Sequence, residues 1–263
     1  MRLFDTHVHM DDPRYDADRD ELLRGLAAEG VELILNPSAS MEEARAAVAL
    51  SEKYPFVYAA VGVHPSEVAG FSEEDCEELL RLAAKPKTVA IGEIGLDYHY
   101  DEPDRETQRR AFARQLELVR EADLPVIIHS RDACAETLEL VKASGVRRGV
   151  VHCFGGSAET AREYVDMGFH VSFTGVLTFK NAPRVREACA AVPLERLMIE
   201  TDGPYMAPEP HRGERNEPKF VRFVAEKMAE VKGVTPEELA EITFNNALKF
   251  FNINDFQPAE PIE

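Results

Sequence analysis

The amino-acid sequence predicts an α/β fold, a single (β/α)8 TIM barrel with extra C-terminal helices. Three observations predict it. Short apolar runs alternate with helix-patterned stretches about eight times along the chain. The runs are continuously apolar, as strands of a parallel sheet covered on both faces must be. The length, 263 residues, suits one such barrel and is enough to bury a real core.

Taken in order, Arg2-Leu3-Phe4 opens the first strand. Residues 20–30 read as a helix with Leu22, Leu23, Leu26 and Ala27 inward and Gly30 as its stop. Residues 31–35 read as a strand. A helix over 40–54 opens Ser40-Met41-Glu42-Glu43, the pattern of a capping box. A strand over 56–61, a capped helix over 72–84 and a strand over 88–91 follow. Residues 102–123 read as a long helix, with Phe112, Leu116 and Val119 at helical spacing. Strands are then expected at 126–128, 150–151, 169–173 and 197–199, with helices over 133–144, 158–167 and 185–191 between them. Two further helices follow, over 218–231 and from Thr235-Pro236-Glu237-Glu238, a second capping pattern with proline in its first turn. Residues 1–254 are thus assigned to the barrel, and 255–263 to a short Pro-rich tail expected to fray.

Composition narrows the function. A hydrophobic fraction of 44% and a charged fraction of 30% are those of a soluble globular chain. No apolar run approaches the roughly 20 residues that span a bilayer. The N-terminus lacks the basic, apolar, small-residue succession of a secretory leader, so a cytoplasmic location is expected. Cys76, Cys134, Cys153 and Cys189 are scattered, which argues against a disulfide framework and a thiolate zinc site alike. Any metal would rest on histidines and carboxylates. The net charge of −18 is wrong for coating long nucleic acid. It still allows a chain end to enter a pocket whose metals supply the positive charge. Nothing calls for a membrane or an obligate protein partner.

The histidines and acids fall at corresponding places. His7 and His9 follow the first strand, one residue apart, so on an extended backbone both imidazoles aim the same way. Alone, this pair would equally suit two polar residues at a strand end. However, Glu93, His129, His152 and Asp202 also lie at the carboxyl ends of predicted strands, and those ends form one rim of a barrel, where active sites sit. Four imidazoles and two carboxylates exceed one catalytic metal's needs and suit two divalent ions. The expected assignment is His7, His9 and Asp202 on one, His129 and His152 on the other, and Glu93 bridging. Water between the ions would be the nucleophile, with Asp202 as its proton acceptor. The ligand types leave zinc, manganese and magnesium open.

The motifs Asp5-Thr6-His7-Val8-His9, Gly62-Val63-His64-Pro65, Gly92-Glu93-Ile94-Gly95-Leu96-Asp97-Tyr98, His129-Ser130-Arg131-Asp132-Ala133, His152-Cys153-Phe154-Gly155-Gly156, Glu200-Thr201-Asp202 and Arg215-Asn216-Glu217-Pro218 together resemble the TatD family of metal-dependent hydrolases. The resemblance runs from Phe4 to about Phe251. It implies the same six ligands, and a divalent-metal deoxyribonuclease that trims nucleic acid from a 3′ end. A glutamate rather than a modified lysine at the bridging place favours this branch of the amidohydrolase-like barrels.

Substrate contacts are expected from His64, Arg131 and Arg215, with a turn-stabilising role standing equally beside this one for His64 and a solvated place at a helix start beside it for Arg131. His211-Arg212 and Arg215-Asn216 lie in a polar loop after the eighth strand, which reads equally as a phosphate site or a surface loop. His170, within the seventh strand, reads as a hydrogen-bonded interior group. Two rivals stand beside the nuclease: an ester or amide hydrolase using the same metals, for example on aminoacyl-tRNA, and a metal-containing binding protein without turnover.

Overall fold

The eight apolar runs become eight strands. The computed structural model describes residues 1–100 and 102–259. Its strands are β1 (Leu3–Asp5), β2 (Val31–Asn36), β3 (Val57–Val61), β4 (Thr88–Asp97), β5 (Val126–Arg131), β6 (Gly149–Val151), β7 (His170–Phe173) and β8 (Leu197–Ile199). They pair in chain order, every pair parallel. The residues just past β1 and β8 bring the sheet round on itself. Thr6 N–H donates to Ile199 O at 3.2 Å, Asp202 N–H to His7 O at 2.9 Å, and His9 N–H to Gly203 O at 2.8 Å. The result is the expected barrel, nearly closed, and the closing contacts are made by the segments that carry His7, His9 and Asp202.

The helices are α1 (Arg19–Gly25), α2 (Met41–Lys53), α3 (Glu73–Ala83), α4 (Arg105–Ala122), α5 (Cys134–Ser144), α6 (Ala158–Asp166), α7 (Pro183–Ala191), α8 (Val221–Lys232) and α9 (Pro236–Phe250). The helix expected over 20–30 is only seven residues of α-helix and then tightens into a 3-10 turn, Leu26–Glu29, before Gly30 stops it with φ 78°. Ser40 caps α2 through the Glu43 N–H, but the Glu43 carboxylate reaches the Ala39 N–H at 2.8 Å instead of closing a box on Ser40. The reciprocal box is at α3, between Ser72 and Asp75. Thr235 caps α9 through the Glu238 N–H. No helix among the described residues is long and apolar enough to cross a membrane.

Two segments depart from the sequence reading. β4 does not stop at Ile91 but runs on to Asp97, with all ten residues buried. Its register against β5 slips between Ile91 and Ile94, so Glu93 lies at an irregularity inside the strand rather than after it. Gly92 and Gly95, which resemble loop residues in sequence, are there for close approach. A Cβ at Gly92 would lie 2.6 Å from Ile127 Cβ, and one at Gly95 only 1.9 Å from His129 O.

The other departure is the tail. Phe256 packs on Phe244 with ring centroids 5.7 Å apart, and the Ala259 N–H donates to Glu32 O at 3.0 Å. Residues 255–259 are therefore tied down by an aromatic anchor and a backbone hydrogen bond, not frayed. Residues 260–263 of the same tail lie outside the described residues. Beneath the tail, Phe4 of β1 meets Phe244 and Phe251, each at 6.2 Å, so the C-terminal helix braces the strand that leads to His7 and His9.

Candidate metal centre

Five strands deliver six donors to one end of the barrel. His7 and His9 follow β1 and bring their Nε2 atoms within 3.3 Å of each other. Glu93 occupies the middle. Its Oε1 is 3.6 Å from His9 Nε2. Its Oε2 is 3.6 Å from His7 Nε2, 3.5 Å from His129 Nδ1 and 2.7 Å from His152 Nε2. His129, in β5, and His152, just past β6, approach at 3.1 Å. Asp202, just past β8, places Oδ1 3.6 Å from His9 Nε2 and 3.8 Å from His7 Nε2. It does so from a left-handed backbone, φ 57°, which aspartate tolerates better than most residues.

These spacings suit cations. Donors about 2.1 Å from a common ion at tetrahedral angles stand roughly 3.4 Å apart. Most of the distances above scatter about that value. Three overlapping triads each gather their donor atoms within 4.8 Å: His7, His9 and Asp202; His7, Glu93 and His152; and His64, Glu93 and His129. Glu93 Oε2 is buried and, although 2.7 Å from His152 Nε2, receives no aligned hydrogen bond. A buried carboxylate oxygen without a donor is costly, and an ion between these groups would remove the cost. The donor set of imidazole and carboxylate, without thiolate, suits zinc or manganese and admits magnesium.

The electrostatics agree. Burial alone would raise the Glu93 carboxyl, but His152 and His7 hold it well below the usual carboxylate range. Burial and the neighbouring His152 push His7 well below the ordinary histidine value, which keeps its lone pair free. Burial also opposes charge on His9 and His152. There the carboxylates win, raising His9 to about 9 through Asp202 and Glu93, and His152 well above normal through Glu93 and Glu200. Positive charge favoured on these two imidazoles stands where a cation would take its place, so protons and a metal ion would compete for the cluster.

Three acids behind the cluster were not singled out from sequence. Asp97 Oδ2 lies 3.2 Å from His129 Nε2 and so turns Nδ1 toward Glu93. Glu200 is 3.6 Å from His152 Nδ1, and it accepts from the Cys153 N–H and the Ser172 hydroxyl, both at 2.6 Å. Asp5 accepts from the Thr201 N–H at 2.8 Å and the Thr201 hydroxyl at 2.5 Å, clasping the β1 and β8 ends. Two of them, Asp5 and Glu200, stand two residues before a donor, a spacing that could have marked them.

The expected substrate contacts divide. His64 Nδ1 accepts from the Ser66 N–H at 3.2 Å, and its ring meets that of His129 at 4.2 Å, so it belongs to the rim of the cluster. Arg131 ends β5 and lines the cavity above it. Arg215 does not. Its guanidinium is spent on Asp18, at 2.6 and 2.8 Å, and on Glu217 and the Arg14 carbonyl, and it lies over Tyr15. The sequence expectation for Arg215 is thus corrected: it ties the post-β8 loop to the Arg14–Asp18 segment. From the same loop, Arg212 lines the cavity instead. The cavity holds about 1320 Å³.

The family described as TatD related DNase matches residues 4–252. Among curated relatives, the uncharacterized metal-dependent hydrolase YabD of Bacillus subtilis is 44% identical, covering 96% of this chain and 100% of its own. The 3′-5′ ssDNA/RNA exonuclease TatD of Salmonella typhimurium is 32% identical, covering 95% and 99%. Among solved structures, the TatD homologue YjjV of Escherichia coli superimposes with a TM-score of 0.91 at 34% identity, covering 96% of this chain and 99% of its own.

Proposed function

The chain belongs to the TatD family of metal-dependent hydrolases, and on that premise we propose that it is a nuclease that hydrolyses phosphodiester bonds near the 3′ end of single-stranded DNA or RNA. The observation that carries the reading is Glu93, buried between two groups of imidazoles and within 3.6 Å of four of them, at the floor of a large open cavity. His7, His9 and Asp202 would hold one divalent ion and His129 and His152 the other, with Glu93 shared between them. Bound there, the ions supply Lewis acidity and a water of lowered pKa.

The chain's own residues do the rest. Asp202 is the one carboxylate that closes the cluster from the β8 side, and its second oxygen is available to take a proton from the attacking water. Asp97 and Glu200 keep His129 and His152 turned inward. Arg131 orients the phosphodiester by charge-assisted hydrogen bonds, and His64 stands at the rim beside it. The relative named an exonuclease supports the substrate class.

The test uses a 5′-labelled single-stranded oligonucleotide. Protein stripped with chelator and then given Mg²⁺, Mn²⁺ or Zn²⁺ should produce a ladder shortening from the 3′ end. Asp202→Asn should lose about a hundredfold or more. Arg131→Gln should slow the nuclease but not a carbonyl hydrolase. Bound metal with no cleavage of any phosphodiester, and turnover of aminoacyl esters instead, would overturn the reading.

A further inference from the structure

The cavity wall has two unlike halves. Its permanent positive charges are Arg131, at the end of β5, Arg184, in the first turn of α7 after β7, and Arg212, after β8. Over β1 to β3 it is lined by Asp11 and Asp12 after β1, Glu43 in the first turn of α2 and Glu67 in the turn after β3, with Asp12 paired to Arg14 at 2.7 Å. Strand order around the barrel gathers the arginines over β5 to β8 and the acids over β1 to β3, the two arcs meeting where β8 closes on β1. Two acids on the cationic half are already engaged, Asp132 with His99 at 3.1 Å and Glu214 with His211 at 3.0 Å.

Among the described residues, the three arginines make no ion pair. That is informative in a chain with 48 acidic and 30 basic residues, where the nearby Arg14 and Arg215 are each bound to carboxylates. Arg212 lies 4.2 Å over the half-buried Phe179 ring, which also lines the cavity. Unpaired guanidinium beside an aromatic face is what a single-stranded nucleic acid meets in a binding groove, the charge for phosphate and the ring for a base. The cavity also exceeds the roughly 300–1,000 Å³ of a small-ligand site, so it has room beyond the nucleotide being cut.

We propose that Arg184, Arg212 and Phe179 form a subsite for the part of a single strand lying beyond the scissile phosphodiester, so that the strand runs along the β7–β8 half of the rim. The inference rests on the nuclease reading and adds the path of the substrate. Arg131, two residues past His129, serves the phosphodiester at the metals, and the other two arginines serve its neighbours. Asp11, Glu43 and Glu67 repel the strand from the β1–β3 arc.

The test pairs a long probe with a short one. Binding of a fluorescent, phosphorothioate-linked eight-thymidine strand to the metal-loaded protein is followed by anisotropy at several salt concentrations. Turnover of bis(p-nitrophenyl) phosphate, a diester with no neighbouring phosphate, is measured alongside. Arg184→Ala with Arg212→Ala should weaken strand binding about tenfold or more and flatten its log–log salt dependence by about 1.4, near 0.7 per lost phosphate contact. Turnover of the small diester should stay within about twofold, and Phe179→Ala should weaken binding with the salt slope unchanged. Lysine at both arginine positions should restore the slope. All three side chains are at least partly exposed, so the fold is not at stake.

Unchanged binding and slope in the double variant would overturn the inference. So would an equal loss on the small diester, which would move the arginines to the cut bond. Turnover of the small diester by wild-type protein that does not bind the strand would also overturn it, and would leave the phosphodiesterase reading standing. If wild type hydrolyses no phosphodiester at all, the nuclease reading fails and the inference falls with it.

Discussion

Asp97 holds one nitrogen of one imidazole, and that contact decides which face His129 shows to the cluster. Removing such a partner typically weakens a metal site 10–100-fold. On the proposed two-ion assignment, Asp97→Ala should therefore lower affinity for the ion on His129 by about that factor in a chelator competition, while the other ion binds as before. Affinities unchanged from wild type at both would mean that packing alone orients His129. A different histidine bears on stability. His170 is buried with Nδ1 unpaired and its ring 4.8 Å from Phe250. It is therefore not the fully bonded group the sequence suggests. Burial, and after it Arg196 and Lys249, hold it down to about 4, against a backbone hydrogen bond at Glu195 that raises it. Between about 6.5 and about 4 the unfolded chain takes up a proton that the folded one refuses. Stability from this group is thus complete above pH 6.5 or so and falls as pH drops through that window. At pH 5 the loss is about 2 kcal/mol, or about 5 °C in Tm. His170→Phe should narrow the Tm gap between pH 7.5 and pH 5 by about that much. An unchanged gap would place the acid sensitivity elsewhere.

At the scale of elements, β4 and β5 form the joint on which Glu93 and His129 depend. Gly95 faces the His129 backbone, where an added Cβ would have to push two strands apart. Gly95→Ala should cost at least the 1–3 kcal/mol of ordinary overpacking, lowering Tm by about 5 °C or more and weakening metal binding with it. Gly25, ending α1, has nothing within 4 Å of a new Cβ. Gly25→Ala should be neutral or stabilising by about 0.4–1 kcal/mol, which makes it the control for composition. The pair also shows what sequence could and could not reveal. The apolar runs and the spacing of His7, His9, Glu93, His129, His152 and Asp202 were legible because a parallel barrel writes its strands as continuous hydrophobic stretches and its active rim just past them. The length of β4 was not, because Gly-Glu-Ile-Gly carries the composition of a loop, and only the neighbouring strand explains why side chains are missing there. Arg212 and Arg215 lie three residues apart in one polar loop. Only the fold places one on the cavity and the other on Asp18.

For the molecule as a whole, two electrostatic effects oppose each other. The surface carries many ion pairs, such as Arg45–Glu78 and Lys142–Glu163, at 2.7 and 2.6 Å. Exposed pairs of this kind contribute about 0–1 kcal/mol each, and salt screens them. Against them stands the net charge of −18, whose mutual repulsion acts on the compact state and is also screened once the Debye length falls below the spacing of the charges. Several of these pairs join residues three or four apart on one helix, as in Arg109–Glu106 and Lys227–Glu230, and they survive in part in an unfolded chain. The repulsion, in contrast, is relieved as the chain expands. The net repulsion should therefore win. Raising sodium chloride from about 50 mM to about 500 mM should increase Tm by about 2–4 °C, the equivalent of about 1 kcal/mol. The same salt should weaken binding of a single strand to the arginine-lined half of the cavity, because there the protein charge and the ligand charge are opposite. A Tm that falls with salt would mean that the ion pairs outweigh the excess of carboxylates.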